Sequence, residues 1–306
     1  MVGSVGFVGL GVMGAGMARN LVAKGVPLTV YSRDGAKAAA FESLGAAVAP
    51  ELPALGAACD VVVLSLPTTE IVEEVVFGGE GLAQTLRRGT VIIDTSTISA
   101  QRTREFAVRL AERGVDLLDA PVSGGQKGAN DGTLTCMVGG SQEAFDRCAP
   151  IFQAMAKTIT RIGESGAGQV CKACNQICVI ASMLGAAEMV AVCLKSGLDP
   201  MVVRSALLGG SARSAVLENH ALRVIDRTYT PGFRADLLLK DLRLALELER
   251  SLGVHAPATE AAEPLFARMV ADGMAGLDWS AVGLLIQQMS GLHEPGVDRK
   301  HPIHST

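Results

Sequence analysis

The chain has 306 residues, long for one compact domain and comfortable for two. Hydrophobic residues make up 49% and charged residues 19%, with a mean hydropathy of +0.34, which excludes a disordered chain. A net charge of −4 without a long basic run argues against nucleic acid or an acidic membrane as partner, and no uninterrupted apolar run reaches the about 18 residues of a membrane span. The opening MVGSVGFVGLGVMG is apolar and glycine-rich but has no basic leader, so it reads as a buried first strand rather than a secretion signal. Strand and helix signals then alternate. Residues 4–9, 28–31, 61–66, 91–94 and 117–119 read as strands, and 13–23 and 37–44 as helices. Runs such as VVVLSL and VIID are apolar throughout, as in strands covered on both faces. The pattern predicts an α/β, doubly wound parallel sheet over residues 1–163.

Near residue 163 the grammar changes. A Gly/Ser turn at 163–168 leads into an uninterrupted helical pattern over 169–196, without proline. Further helical patterns cover 199–208, 214–224, 235–252, 259–272 and 280–289, with no strand signal after about Ile162, so residues 164–292 are expected to form an all-α domain. The polar segment 293–306, with Pro295 and Pro302, is expected to be a flexible tail, and its His301 and His304 carry no metal assignment. Seven cysteines, Cys59, Cys136, Cys148, Cys171, Cys174, Cys178 and Cys193, include one CxxC but no second pair or nearby histidine. They are read as plain buried thiols in a reducing cytoplasm, with no metal site.

Gly9-Leu10-Gly11-Val12-Met13-Gly14 matches G-x-G-x-x-G. With 35 glycines a chance match is expected roughly 0.4 times, so the motif alone is weak. Its setting between an apolar strand and an apolar helix makes it strong. Gly9 would allow the tight turn, Gly11 the approach of a pyrophosphate, and Gly14 close helix–strand packing. The helix N-terminus would favour the anion. At the end of the second strand, Ser32 stands where an acidic residue usually takes the ribose 2′-hydroxyl, and Arg33 follows. A hydroxyl plus a guanidinium suits a 2′-phosphate, favouring NADP, while Asp34 keeps NAD as the alternative.

Chemistry needs more than a dinucleotide fold. Lys172 lies in the first turns of the long apolar helix among Val170, Cys171, Ala173, Cys174 and Ile177, with Asn175 three residues on and on the same face. Desolvation would tune such a lysine as a proton donor. A lysine snorkelling at a domain edge fits the same pattern. Asn175 would hold the substrate or the amine. Asp119-Ala120-Pro121-Val122-Ser123-Gly124-Gly125 follows a strand at the expected carboxyl edge of the sheet, where Ser123, Gly124 and Gly125 would make a carboxylate nest or an ordinary turn. Lys240-Asp241, amid leucines, is a surface pair or part of a site.

Five segments, GFVGLGVMGAGMARNL (6–21), DTSTIS (94–99), DAPVSGG (119–125), GAGQVCKACNQ (166–176) and KDLRLALE (240–247), resemble the β-hydroxyacid dehydrogenase family in the family's order. The resemblance implies a Rossmann domain, a long interdomain helix, an all-α domain and assembly into homodimers or homotetramers. It implies Lys172 as general acid/base, Asn175 orienting the substrate, and Ser123, Gly124 and Gly125 gripping a small carboxylate. Thr97 would meet the nicotinamide ribose, and Leu66 and Pro67 would line the cofactor cleft. Lys240 would lie on the nicotinamide side with Asp241 beside it, and Phe233 would close the pocket. Segment 209–242 most resembles the tartronate semialdehyde reductases, implying reduction of 2-hydroxy-3-oxopropanoate to glycerate. 3-Hydroxyisobutyrate, serine, 4-hydroxybutyrate and threonate are the alternative substrates. The helical part is too short for a 6-phosphogluconate dehydrogenase, imine reductases replace the lysine, and a non-catalytic dinucleotide-binding module would have lost it.

Overall fold

The computed structural model describes residues 3–292, so the tail expected from residue 293, with His301 and His304, lies outside them. The chain divides into two compact units. The first runs to Gln176 and takes in Glu247–Val254; the second holds Ile177–Leu246 and the residues from His255 on. The first unit therefore extends past Gly163 into the long helix.

In the first unit, strands β1 (Val5–Val8), β2 (Leu28–Tyr31), β3 (Ala47–Val48), β4 (Val61–Leu64), β5 (Val91–Asp94) and β6 (Asp116–Asp119) alternate with helices α1 (Val12–Ala23), α2 (Gly35–Glu42), α3 (Leu52–Ala58), α4 (Thr69–Phe77) and α5 (Ala100–Ala111). Then come β7 (Val122–Ser123), α6 (Gly125–Asp131), β8 (Leu134–Gly139), α7 (Gln142–Arg147), α8 (Ala149–Met155) and β9 (Ala156–Gly163). The sheet order is β3-β2-β1-β4-β5-β6-β8-β7, with β9 on β8. Strands β3 to β6 run parallel, while β8 is antiparallel to β6 and β7. The order reverses at β1, which pairs Val5 with Leu28 on one side and with Val61 on the other. That reversal opens the crevice in which such sheets bind ligands.

Both faces are covered, as the apolar runs require. Val61 and Val63 of β4 join Phe7, Ile93, Met17, Leu21 and Phe152 in one core, while Val62 and Leu64 join Ile92, Leu55 and Phe106 in the other. Alternate residues thus serve opposite faces. Each full apolar burial of this kind contributes about 1.5–3 kcal/mol. Strands β3, β7, β8 and β9 were not among the expected elements. Two have only two residues, and β9 is a half-exposed edge strand carrying Lys157 and Thr158.

Helix α9 (Ala167–Lys195) carries the chain from the first unit into the second. By length and composition it is long and apolar enough to cross a membrane. Its Ile180, Met183, Ala187 and Val190 are core residues of the second unit. The second unit is otherwise built from α10 (Pro200–Leu208), α11 (Ala215–Ile225), α12 (Ala235–Ser251), α13 (Pro257–Met269) and α14 (Val282–Met289), with Leu242, Phe266, Trp279 and Leu285 at its centre. Helix α12 ends in residues of the first unit. The cysteines correct one expectation: Cys59, Cys136, Cys148 and Cys193 are buried, but Cys171 is only half-buried, and Cys174 and Cys178 are exposed.

Candidate active site

The glycine loop connects β1 to α1. Gly9 has φ of +100°, and a Cβ there would lie 2.2 Å from the Ser65 carbonyl oxygen. A Cβ on Gly14 would lie 1.9 Å from the Gly9 carbonyl oxygen. One glycine is thus demanded by backbone conformation and the other by helix–strand contact. Gly11 differs, since a Cβ there meets nothing within 4 Å. Its lack of a side chain leaves room beside the first turn of α1, which has no acidic residue. Gly11 is the helix N-cap and offers no side chain to the helix amides. A cradle of open space and amide donors fits a pyrophosphate. Leu10 is buried in the core, Met13 packs against it, and Val12 is exposed.

At the end of β2, the Asp34 carboxylate caps α2 by accepting from the Ala36 and Lys37 amides at 3.2 and 3.4 Å, and it pairs with Lys37 Nζ at 3.3 Å. The Lys37 ammonium beside it holds the exposed Asp34 carboxyl below the usual range. Ser32 Oγ accepts from the Asp34 amide at 3.2 Å, and Arg33 is exposed. Asp34, the residue that kept NAD open, is therefore occupied by its own helix.

The loops after β4 and β5 meet through Ser96. Its Oγ accepts the Leu66 amide at 2.8 Å, and its own amide donates to Asp94 Oδ1 at 3.0 Å. Pro67 is exposed, and Thr97 is half-buried between Ser96 and Ile98, both buried. Gln169, in the first turn of α9, donates through Nε2 to the Ser96 carbonyl at 2.8 Å and accepts the Ile98 amide on Oε1 at 3.2 Å.

The start of α9 is seated on the end of β6. Asp119, fully buried, accepts the Gly166 amide on Oδ1 at 2.7 Å and the Gln169 amide on Oδ2 at 2.9 Å. Burial pushes its carboxyl up to about 6, against the pull of those amides. Close approach is possible because Gly139 and Gly168 face this contact. A Cβ on Gly168 would lie 2.4 Å from the Met137 carbonyl oxygen, and one on Gly139 2.5 Å from Asp119 Oδ1. One turn further on, Lys172 is only 8% exposed, which does not fit a lysine snorkelling to water. Asn175 is half-buried and its Nδ2 donates to Gln176 Oε1 at 2.8 Å.

Ser123 ends β7 and pairs with Thr135 of β8. Gly124 and Gly125 follow with φ of +133° and +61°, and Gly125 faces open space. Both conformations favour glycine, and the open space at Gly125 leaves its backbone accessible. Within the first unit the structure therefore places the glycine loop, Leu66, Thr97 and the Asp119–Gly125 segment after β1, β4, β5 and β6, all at the carboxyl edge of one sheet, and seats the helix of Lys172 on that edge.

In the second unit, Pro231-Gly232-Phe233 is held by the buried Asp278, whose Oδ2 accepts the Gly232 and Phe233 amides at 2.9 and 3.2 Å. Lys240 Nζ pairs with Asp241 Oδ1 at 2.9 Å; Asp241 is only 3% exposed, so this is no surface pair. Asp119, Gln169 and Ser96 escaped the sequence reading as structural ties. Each bonds to groups 30 or more positions away, so no local pattern marks the tie.

Residues 4–163 match the NAD binding domain of 6-phosphogluconate dehydrogenase, and residues 166–286 match the NAD-binding domain of NADP-dependent 3-hydroxyisobutyrate dehydrogenase. The chain is 42% identical over 286 residues to the 2-hydroxy-3-oxopropionate reductase of Escherichia coli, covering 94% of this chain and 98% of that one. It is 35% identical to an NAD-dependent L-serine dehydrogenase of Pseudomonas aeruginosa, over 94% of this chain and 99% of that one. The solved structure of a Mycobacterium tuberculosis 3-hydroxyisobutyrate dehydrogenase with L-serine superposes with a TM-score of 0.86 at 33% identity, over 94% of this chain and 100% of that one. The fingerprint, the sheet order and these likenesses, which span both parts of the chain, make it an NAD(P)-dependent oxidoreductase that belongs to the β-hydroxyacid dehydrogenase family.

Proposed function

We propose that the protein reduces 2-hydroxy-3-oxopropanoate to glycerate with NADPH, using Lys172 as the general acid. The observation that carries the reaction type is a buried lysine on a helix seated at the carboxyl edge of a dinucleotide-binding sheet. The likeness to the E. coli reductase supports the substrate. A bound nicotinamide supplies the hydride. Lys172 gives its proton to the substrate oxygen as negative charge builds there, and takes it back in the oxidative direction. Asn175 orients the reacting oxygen. Ser123 and the Gly124 and Gly125 amides grip the carboxylate, so that orientation and fixed dipoles carry much of the acceleration. Gly9, Leu10, Gly11, Val12, Met13 and Gly14 form the pyrophosphate loop, Leu66 and Pro67 line the nicotinamide side, and Thr97 meets its ribose. By the resemblance, Phe233, Lys240 and Asp241 of the second unit are also given substrate- and cofactor-side roles.

NADP is favoured because Asp34 is spent on capping α2, which leaves the exposed Arg33 beside Ser32 for a 2′-phosphate. Residues 1–163 serve as the nucleotide-binding domain and 164–292 as the substrate and assembly domain of a cytoplasmic homodimer or homotetramer. Oxidation of 3-hydroxyisobutyrate or serine is the second reading, favoured by the structural likeness to the enzyme solved with L-serine.

The deciding experiment follows nicotinamide absorbance with a panel of short aldehyde acids and hydroxyacids and both cofactors. The expected result is the highest kcat/KM for 2-hydroxy-3-oxopropanoate with NADPH. A preference for serine or 3-hydroxyisobutyrate selects the second reading. Cofactor binding without turnover of any substrate identifies a non-catalytic module.

A further inference from the structure

We propose that Gln169 is a positioning residue that ties the placement of Lys172 to that of Thr97; this rests on the roles given to those two residues above. The Gln169 side chain makes two bonds of opposite sense. Nε2 donates to the Ser96 carbonyl at 2.8 Å, and Oε1 accepts the Ile98 amide at 3.2 Å. Those groups belong to the two peptide units that flank Thr97. A single side chain therefore grips the backbone on both sides of the residue that would meet the nicotinamide ribose. The primary amide supplies a donor and an acceptor in one plane, matching the carbonyl and the amide it meets.

The grip is stiff at its other end as well. The main-chain amide of Gln169 donates to Asp119 Oδ2 at 2.9 Å, which fixes the first turn of α9 against β6. Lys172 follows three residues later, on the same helix face. Ser96 extends the tie, because its Oγ holds the Leu66 amide at 2.8 Å. The loops after β4 and β5 and the first turns of α9 thus share one hydrogen-bonded network within the first unit. Gln169 is 3% exposed, so no water replaces a lost partner cheaply. A helix needing only an apolar contact here would be served by leucine. The glutamine instead sets the distance between the loop that holds the cofactor and the helix that holds the proton donor. Small errors in such a distance are costly in rate.

The test uses the full chain with Gln169→Leu, which removes both bonds at similar volume, and Gln169→Glu, which keeps the acceptor for Ile98 and loses the donor to Ser96. NADPH affinity is measured by fluorescence titration and kcat across pH with the best wild-type substrate, with thermal unfolding as the folding control. Gln169→Leu is expected to weaken NADPH binding about tenfold, to lower kcat about 100-fold and to shift the pH profile of kcat, because misplacement by about 1 Å has effects of that order. A folded Gln169→Leu protein with wild-type affinity and pH profile, whatever its melting temperature, overturns the proposal. If the leucine variant does not fold, the same readouts on the nearly isosteric glutamate variant decide. Lys172→Ala run in parallel separates the two failures. Wild-type turnover in that variant defeats the acid/base reading, whereas an inactive Lys172→Ala beside an unaltered Gln169→Leu defeats only the coupling.

Discussion

At the scale of single residues, a buried amine and a buried carboxylate decide most. Lys172→Ala removes the proposed proton donor while leaving the glycine loop untouched, so kcat is expected to fall by about 10²–10⁴. NADPH affinity in a fluorescence titration should stay near wild type; a kcat within a few-fold of wild type would remove Lys172 from the chemistry. Asp119 makes a different prediction. Burial pushes its carboxyl from 3.8 up to about 6, so between those values the folded chain holds a proton that the unfolded chain has lost. Its contribution to stability therefore falls as pH rises through that window and levels off above it. Asp119→Asn should flatten this part of the stability–pH curve in urea unfolding from pH 4 to 7, and an unchanged slope would assign it to other groups. Lys172 stands out in the sequence as a charge in an apolar helix, and the structure adds its burial. The role of Asp119 was not legible, since the Gly166 and Gln169 amides it accepts lie 47 and 50 positions away. The bonds of Gln169 span 71 and 73 positions.

At the scale of elements, the glycine loop separates fold from ligand. A methyl at position 11 meets nothing in the protein, whereas one at position 14 meets the Gly9 carbonyl at 1.9 Å. Gly11→Ala is thus expected to melt like the wild type while binding NADPH at least about tenfold more weakly, by obstructing the pyrophosphate. Gly14→Ala should lower the melting temperature by several degrees, the size of a core overpacking. If Gly11→Ala binds NADPH normally by titration, the pyrophosphate does not pass over that residue. The parallel strands β1, β2, β4, β5 and β6 were legible to within a residue or two, because hydrophobic runs between glycine-rich turns leave little choice, whereas the two-residue β3 and the half-exposed β9 were not. Strands β7 and β8 were not, because Ser123 finds its partner Thr135 across an intervening helix, and a short apolar run such as LTCMVG has no period of its own. The long helix was plain from its uninterrupted pattern, but its start was read two residues late, since Ala167 and Gly168 look like turn and are held in helix by their seat on β6.

At the scale of the whole molecule, the sequence marked a change of character near residue 163, and the compact units part later, at Gln176, inside α9. The return of Glu247–Val254 to the first unit had no signature, because the leucine pattern of α12 runs on without a break. Helix α10 has no buried residue although it reads PMVVRSALL, and Met201 and Val202 stand 38% and 66% exposed. An exposed apolar helix of this kind is the surface on which to test the proposed assembly. Val202→Glu should then shift the chain toward monomer in light scattering coupled to gel filtration, with the monomer's fold retained by circular dichroism. An unchanged mass would place the interface elsewhere.

The uneven burial of the thiols makes the chain a ready substrate for site-selective labelling. Cys136 and Cys148 are pushed up to about 12 and about 11 by burial, so at neutral pH they hold no appreciable thiolate and ignore maleimides. Cys174 and Cys178 are exposed, one helical turn apart, on the same helix as Lys172. Cys174 follows the lysine by two positions, about 200° around the axis. A fluorophore attached there would ride on the lysine's helix from the far side, reporting what happens around the amine without standing in its way.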